Sequence, residues 1–265
     1  NPVFFALSKI TLKSAKVHLS QVFAIHAHPR SRVVASLTVE NYVKAVFKIS
    51  LARDGRATTG QLAMELKVSP GTVTSMLKNL SLNGLAAYTP YEGVRLTESG
   101  EALARRIVRR HRLLELFLAE VLNLDWHEVH DHAEHLEHAF SDDLIDRVDA
   151  YLGYPDYDPH GDPIPRADGL LEPLAAEPLL SCPVGQQFRV VRVLDQSPGF
   201  LRMLDEWGLR LGTSGEVVGH RSEQDEIIVC FQGRQLTLGR QAAENLLVVV
   251  SADSPVPSGQ PVMVE

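Results

Sequence analysis

The chain has 265 residues, of which 45% are hydrophobic and 22% are charged. This composition is typical of globular proteins and excludes a collagen, a coiled-coil rod or a wholly disordered chain. The length predicts two domains or three small ones, and no uninterrupted apolar run reaches the roughly 18 residues of a membrane-spanning helix. Cys182 and Cys230 are too few for a disulfide framework or a zinc ribbon, which favours a reducing compartment and hence the cytoplasm.

The formal net charge of −7 is distributed unevenly along the chain. Residues 1–35 contain five Lys or Arg and no acid, and residues 36–110 contain eleven Lys or Arg against six acids. Residues 111–160 contain two Arg against thirteen acids, and residues 161–265 contain eight Arg against fourteen. A basic block beside an acidic block indicates two different partners, a polyanion and a cation. Ordinary fluctuation of surface charge is the less favoured explanation of so large a swing.

The first predicted domain is a winged helix–turn–helix over residues 36–110, preceded by a basic N-terminal extension over residues 1–35. The extension lacks the apolar core of a secretion signal, and a helical or DNA-contacting arm stays open. Apolar spacing predicts a helix over 38–52, and Thr58-Thr59-Gly60 opens a short second helix. Ser69 and Pro70 are suited to the N-cap and first position of a third helix. Two short β-like runs, 85–89 and 93–97, then form the wing.

The rest of the chain predicts a helical domain and a small β-domain, which makes the fold class α+β. Helices are predicted at about 98–122, 125–139 and 141–152, with Thr97 capping the first and Ser141 capping the third. The predicted metal-binding and dimerisation domain is 111–152. Residues 153–183 are rich in Pro, Gly and Asp and are predicted to be a linker. Short strands over 184–251 predict a small β-barrel. A disordered tail is predicted over 252–265.

The third helix of the winged domain is the predicted DNA-reading element. Short hydroxyls suit phosphate contacts and close approach to thymine methyl groups, and a lysine suits a phosphate. The alternative is a winged helix used only for protein contacts, which the positive charge of residues 36–110 disfavours. The predicted DNA-binding residues are Ser69, Thr72, Thr74, Ser75, Lys78 and the wing residue Arg95.

Residues 127–138, HEVHDHAEHLEH, contain five histidines and four acids. On a helix, His130, Glu134, Glu137 and His138 lie on one stripe, whereas His132 and His135 point away from it. The preceding long helix adds His111 and Glu115 at i and i+4. Imidazole and carboxylate ligands without thiolate favour Mn²⁺, Fe²⁺ or Co²⁺, with Zn²⁺ also open. The alternative is a solvated acidic and histidine-rich face, which two interlocking sets on consecutive helices make less favoured.

In their order along the chain, the winged helix, VRRHRLLELFL, EVHDHAEHLEHAFSDDL and DPHGDPIP resemble the diphtheria-toxin-repressor family of metal-dependent transcriptional regulators. The resemblance covers about residues 36–250, and LDEWGLRLGTSGEV is similar to the family's SH3-like, ferrous-iron-transport-A-like module. It implies the metal ligands His111, Glu115, His130, Glu134, Glu137 and His138.

The resemblance also bears on the choice of metal. Iron-responsive members carry Cys at the position of Glu134 and manganese-responsive members carry Glu, which implies Mn²⁺. Asn41 occupies the place of a first-helix ligand and offers an amide oxygen without charge. Lys44 stands where some manganese regulators have a further carboxylate.

The predicted function is therefore a homodimeric, Mn²⁺-dependent repressor that binds a palindromic DNA operator and controls genes of metal homeostasis and transport. Fe²⁺ and Co²⁺ are the alternative ions, and an iron-dependent repressor of the same family is the runner-up. The rival from another class is a metalloenzyme with Glu134 or Glu137 as general base. The winged helix and the lack of a catalytic pocket signature count against it, and no catalytic residue is assigned.

Overall fold

The structure is a computed structural model that describes residues 36–52, 55–171, 175–221 and 224–250. The predicted N-terminal extension and the predicted tail lie outside the described residues. Among the residues described, no helix combines the length and the apolar character needed to cross a bilayer.

The winged domain has the predicted order of three helices and a two-stranded wing. Its elements are α1 (Leu37–Ala52), α2 (Thr59–Glu65), α3 (Pro70–Leu82), β1 (Ala86–Thr89) and β2 (Gly93–Leu96). Ser69 caps α3 by accepting a hydrogen bond from the Thr72 amide, and Pro70 takes the first helical position, as predicted. Val73, Leu77 and Leu80 are fully buried at helical spacing, so the opposite face of α3 is left at the surface.

The helical domain consists of α4 (Glu98–Glu120), α5 (Val129–Leu136) and α6 (Asp142–Tyr151). The predicted domain boundary at residue 110 falls inside α4, so the winged and helical domains share one continuous helix. Thr97 and Ser141 cap α4 and α6 as predicted. α5 is shorter than the predicted 125–139. It begins later because residues 126–128 form a turn, in which the Glu128 amide donates a hydrogen bond to the Asp125 carbonyl.

The C-terminal part is a six-stranded antiparallel sheet with strand order β3-β8-β4-β5-β6-β7. Its elements are β3 (Glu177–Pro178), β4 (Gln187–Val193), α7 (Pro198–Trp207), β5 (Ser214–Arg221), β6 (Glu226–Phe231), β7 (Arg234–Gly239), α8 (Arg240–Glu244) and β8 (Leu246–Val250). Ile227, Val229 and Phe231 alternate into the core along β6. The sheet begins before the predicted boundary at 184, because Glu177 pairs with Val248.

Much of the segment predicted as a linker is packed against both neighbouring domains. Asp158, His160 and Ile164 are buried, and the His160 carbonyl accepts a 2.9 Å hydrogen bond from the Val193 amide of β4. Gly161 has φ +83°, and a Cβ there would lie 2.0 Å from the Val191 carbonyl oxygen. Only glycine fits so close an approach in this backbone conformation, and the segment is thereby held against β4.

Candidate metal centre and nucleic-acid interface

The predicted DNA-reading side chains lie on the outward part of the winged domain. Ser69, Thr72, Ser75, Lys78 and Arg95 are exposed, and Thr74 is half-buried. The hydroxyls of Thr74 and Ser75 donate to the carbonyls of Pro70 and Gly71, at 2.9 and 3.1 Å. Their oxygens keep lone pairs for a further partner.

The wing adds residues that the sequence analysis did not single out. Tyr91 is fully exposed at its tip, and a groove between α3 and the wing is lined by Thr74, Lys78, Tyr88 and Tyr91 among others. Arg56 pairs with Glu92 of the wing at 2.8 Å. The surface therefore combines short hydroxyls, a cation, the exposed ring of Tyr91 and the half-buried ring of Tyr88.

The first cluster of candidate metal ligands consists of His111 on α4 and Glu134 and Glu137 at the end of α5. Lys44, from α1, places its ammonium between the two carboxylates. Its Nζ lies 2.7 Å from Glu134 Oε1 and 2.8 Å from each carboxylate oxygen of Glu137. Burial by itself raises the pKa of Glu134, but Lys44 and His111 outweigh it and lower the pKa to about 2.

His138 and Asn41 border the first cluster in different ways. His138 Nε2 lies 3.2 Å from Glu137, and its Nδ1 lies 2.7 Å from Glu40 of α1. The Asn41 side-chain oxygen is buried and has no hydrogen-bond partner among the residues described, which suits a neutral ligand oxygen. The structure thus brings His138 to the predicted ligands and leaves an unused acceptor on Asn41.

His111 connects the first cluster to a neighbouring group of His111, Glu115 and His130. Its Nδ1 lies 2.7 Å from Glu137, and its Nε2 lies 2.9 Å from Glu115. Burial lowers the pKa of His111, but the two carboxylates outweigh it and raise the pKa above the ordinary value. His132 and His135 are exposed, as the helix phase predicts.

A second cluster, formed by Glu115, Asp158 and His160, was not predicted as a whole. All three residues are buried, and their candidate ligand atoms lie within 4.8 Å of one another. Glu115 comes from α4, whereas Asp158 and His160 come from the segment predicted as a linker. The only sequence signal for them is DPHG, which helical spacing cannot place because this segment is not helical.

Two donor atoms of the second cluster are buried without a hydrogen-bond partner among the residues that the structure describes. His160 Nε2 lies 2.8 Å from the Trp126 carbonyl, which can only accept, so Nε2 carries the proton and Nδ1 has a free lone pair. Within the described part of the chain, that Nδ1 and Asp158 Oδ2 are both buried without a hydrogen-bond partner, and Arg112 Nε lies 3.7 Å from Asp158 Oδ2. Asp158 Oδ1 accepts from the amides of His160 and Asp162. A histidine oriented through its other nitrogen is typical of metal sites.

The two clusters fit a divalent ion differently. Burial, Glu115 and Asp162 raise the pKa of Asp158 well above its usual range, although the nearby Arg112 acts in the opposite direction. The second cluster has carboxylate and imidazole donors that suit a dication, and Arg112 Nε stands 3.7 Å from Asp158 Oδ2, outside hydrogen-bond distance. The first cluster does not fit one as it stands, because the Lys44 ammonium already lies against its carboxylate oxygens.

Comparison with known proteins follows the same division of the chain. Residues 36–94 match the family model described as the N-terminal DNA-binding domain of iron-dependent repressors, and residues 97–166 match the metal-binding and dimerisation domain of the same family. Residues 177–250 match the FeoA domain. The chain belongs to the iron-dependent repressor, or diphtheria-toxin-repressor, family of metal-dependent DNA-binding repressors, as its motifs predicted.

The relatives include a diphtheria toxin repressor, a regulator named MntR and a manganese-dependent repressor. The chain is 28% identical to the diphtheria toxin repressor of Corynebacterium efficiens over 212 residues, covering 76% of this chain and 90% of the relative. It is 34% identical to the HTH-type transcriptional regulator MntR of Lysinibacillus sphaericus over 111 residues, covering 42% and 78%. A solved manganese-dependent transcriptional repressor in complex with manganese is 38% identical, with a TM-score of 0.75, and covers 80% of this chain and 100% of that one.

Proposed function

We propose that this protein is a Mn²⁺-activated repressor of genes for metal homeostasis and transport, and that Glu115, Asp158 and His160 hold the activating ion. The observation that carries this proposal is the convergence of three buried donors, two of which have an atom without a hydrogen-bond partner in the described part of the chain. Two carboxylates and one imidazole form a site without thiolate, which suits Mn²⁺. The manganese-dependent relatives support the same ion, and the name of the family keeps Fe²⁺ as the alternative.

The position of the second cluster explains how an ion there would act on DNA binding. Glu115 lies on α4, which begins at the wing and is shared by the winged and helical domains. Asp158 and His160 lie on the segment that is held against β4. Arg112 of α4 donates to the Pro163 carbonyl and pairs with Asp162 at 3.1 Å. An ion bound by these residues would join α4 to the C-terminal domain and fix the long helix that carries the wing.

The proposal includes a homodimer acting in the cytoplasm on a palindromic operator. Residues 97–166 match a dimerisation domain, and two-fold symmetry of the protein requires two related half-sites in the DNA. Ser69, Thr72, Thr74, Ser75, Lys78 and Arg95 are the proposed DNA contacts.

The test is DNA binding under controlled metal. A duplex selected from a randomised library in the presence of Mn²⁺ serves as operator, and fluorescence anisotropy is measured with free Mn²⁺, with anaerobic Fe²⁺ and with a strong chelator. We expect Mn²⁺ to tighten binding at least tenfold relative to chelator, and Asp158→Asn to lose that response. Equal binding in chelator and in Mn²⁺ would contradict the proposal, and a stronger response to Fe²⁺ would assign the protein to iron.

A further inference from the structure

Lys44 is a buried lysine with one hydrogen-bond acceptor available for each N–H group of its ammonium. It is 5% exposed, and a lysine so enclosed requires opposite charge beside it. Its three N–H groups have three close carboxylate oxygens, one on Glu134 and two on Glu137. The ammonium also lies 3.4 Å from His111 Nδ1. No other residue type offers one positive charge with three donors on so long a stem.

The atoms that hold Lys44 are the atoms that would hold a metal ion in the first cluster. His111, Glu134 and Glu137 are the residues whose ligand atoms converge there, and Lys44 lies within hydrogen-bond distance of both carboxylates. A dication entering the cluster would have to compete with the ammonium for these oxygens and would be repelled by its positive charge. Because Lys44 is tethered to α1, it competes at a high effective concentration.

We propose that the Lys44 ammonium is the resident cation of the first cluster. The cluster is then a permanent clamp between α1 of the winged domain and α5 of the helical domain, formed without a divalent ion. His138 strengthens the same connection, since it lies between Glu40 of α1 and Glu137. Metal sensing is left to the second cluster, and this last step rests on the function proposed above.

The inference predicts how many Mn²⁺ ions each variant binds. The full-length chain is stripped of metal and dialysed to equilibrium against rising free Mn²⁺, and bound Mn²⁺ per chain is measured by elemental analysis. We expect one ion per chain for the wild type and two for Lys44→Gln, which removes the charge and opens the first cluster. Lys48→Gln is the matched control, because Lys48 lies on α1 like Lys44 but acts on Glu134 only through its charge at a distance. The Lys48→Gln variant should bind one ion.

A second comparison does not depend on folding of the Lys44 variant. In the wild-type background, Glu134→Gln should change the Mn²⁺ affinity less than about threefold, whereas Asp158→Asn should remove the ion. A tenfold or larger loss with Glu134→Gln would overturn the inference, as would a folded Lys44→Gln that binds no additional ion. If the wild type binds no Mn²⁺ but Lys44→Gln binds one, the inference on Lys44 holds and the proposed function fails. If neither binds any, both fail.

Discussion

Asp158 carries a carboxylate into a fully enclosed position beside Glu115, and the two residues determine how the second cluster behaves. The backbone amides of His160 and Asp162 donate to one oxygen of Asp158; the other oxygen has no hydrogen-bond partner among the described residues and lies 3.7 Å from Arg112 Nε. Because burial and Glu115 raise the pKa of Asp158 in spite of Arg112, its ionised form, which the proposed metal site requires, costs folding stability above the ordinary pKa of aspartate. Asp158 is therefore suited to binding a metal ion, and without one it lowers the stability of the folded protein.

We expect Asp158→Asn to separate these two properties. The asparagine oxygen can keep both backbone hydrogen bonds, and the buried charge is gone, so the metal-free variant should melt at or above the wild-type temperature. Mn²⁺ at 100 times its Kd should stabilise the wild type by about 2.7 kcal/mol and the variant by less than about 0.5 kcal/mol. Thermal unfolding with and without Mn²⁺ measures both. A variant that is less stable without metal and still gains from Mn²⁺ would contradict this account.

At the scale of elements, single side chains at helix ends hold the winged domain together. Thr97 is the clearest case, because its hydroxyl accepts from the Gly100 amide at the start of α4 and donates to the Gly84 carbonyl at 2.6 Å. One residue thus caps the long helix and fastens it to the end of α3. Gly100 allows the same close packing, since a Cβ there would lie 1.9 Å from the Leu85 carbonyl oxygen.

Replacing Thr97 by alanine should lower the free energy of unfolding by about 1–2 kcal/mol, the upper part of the range for a lost cap. The control is Thr89→Ala on the wing, an exposed position whose loss should cost less than about 0.5 kcal/mol. Urea unfolding followed by circular dichroism gives both values. Equal stabilities for the two variants would show that the Thr97 contacts add nothing to folding.

The outward face of α3 gives a prediction about DNA. Lys78 is exposed there, so Lys78→Ala should weaken binding to all duplexes and reduce the slope of log affinity against log salt by about one unit. Ser75→Ala should change preference among duplexes more than overall affinity. Arg202→Ala, at an exposed position of α7, is the charge-matched control and should leave the slope unchanged. A wild-type slope in Lys78→Ala would remove Lys78 from the phosphate contacts.

Sequence reasoning succeeded for the parts of this protein that are local in the chain. The caps Ser69, Thr97 and Ser141 and the outward positions of His132 and His135 follow from helix geometry over a few residues. The occupancy of the first cluster does not, because Lys44 meets Glu137 across 93 positions and only packing of α1 against the helical domain joins them. Asp158 and His160 escaped notice for a related reason, since a proline-rich irregular segment has no periodicity to show which side chains turn inward.

At the scale of the whole molecule, three domains meet around α4 and the segment from Asp158 to Pro163. Trp126, which precedes α5, packs in the core of the C-terminal domain and donates a 2.9 Å hydrogen bond to Asp205 of α7. Arg192 of β4 pairs with Asp162. The C-terminal domain is thus joined to the same residues that form the second cluster. A change at that cluster is therefore placed to reach both the wing and the C-terminal sheet.

In the proposed function, Mn²⁺ binding and DNA binding are coupled in this chain, and coupling between two ligands is reciprocal. The most direct measurement is the Mn²⁺ affinity of the wild-type protein with and without a saturating amount of the selected duplex. We predict that the duplex tightens Mn²⁺ binding by the same factor, about tenfold or more, by which Mn²⁺ tightens DNA binding. Asp158→Asn should show no such change. A Mn²⁺ affinity that is the same with and without the duplex would contradict the account.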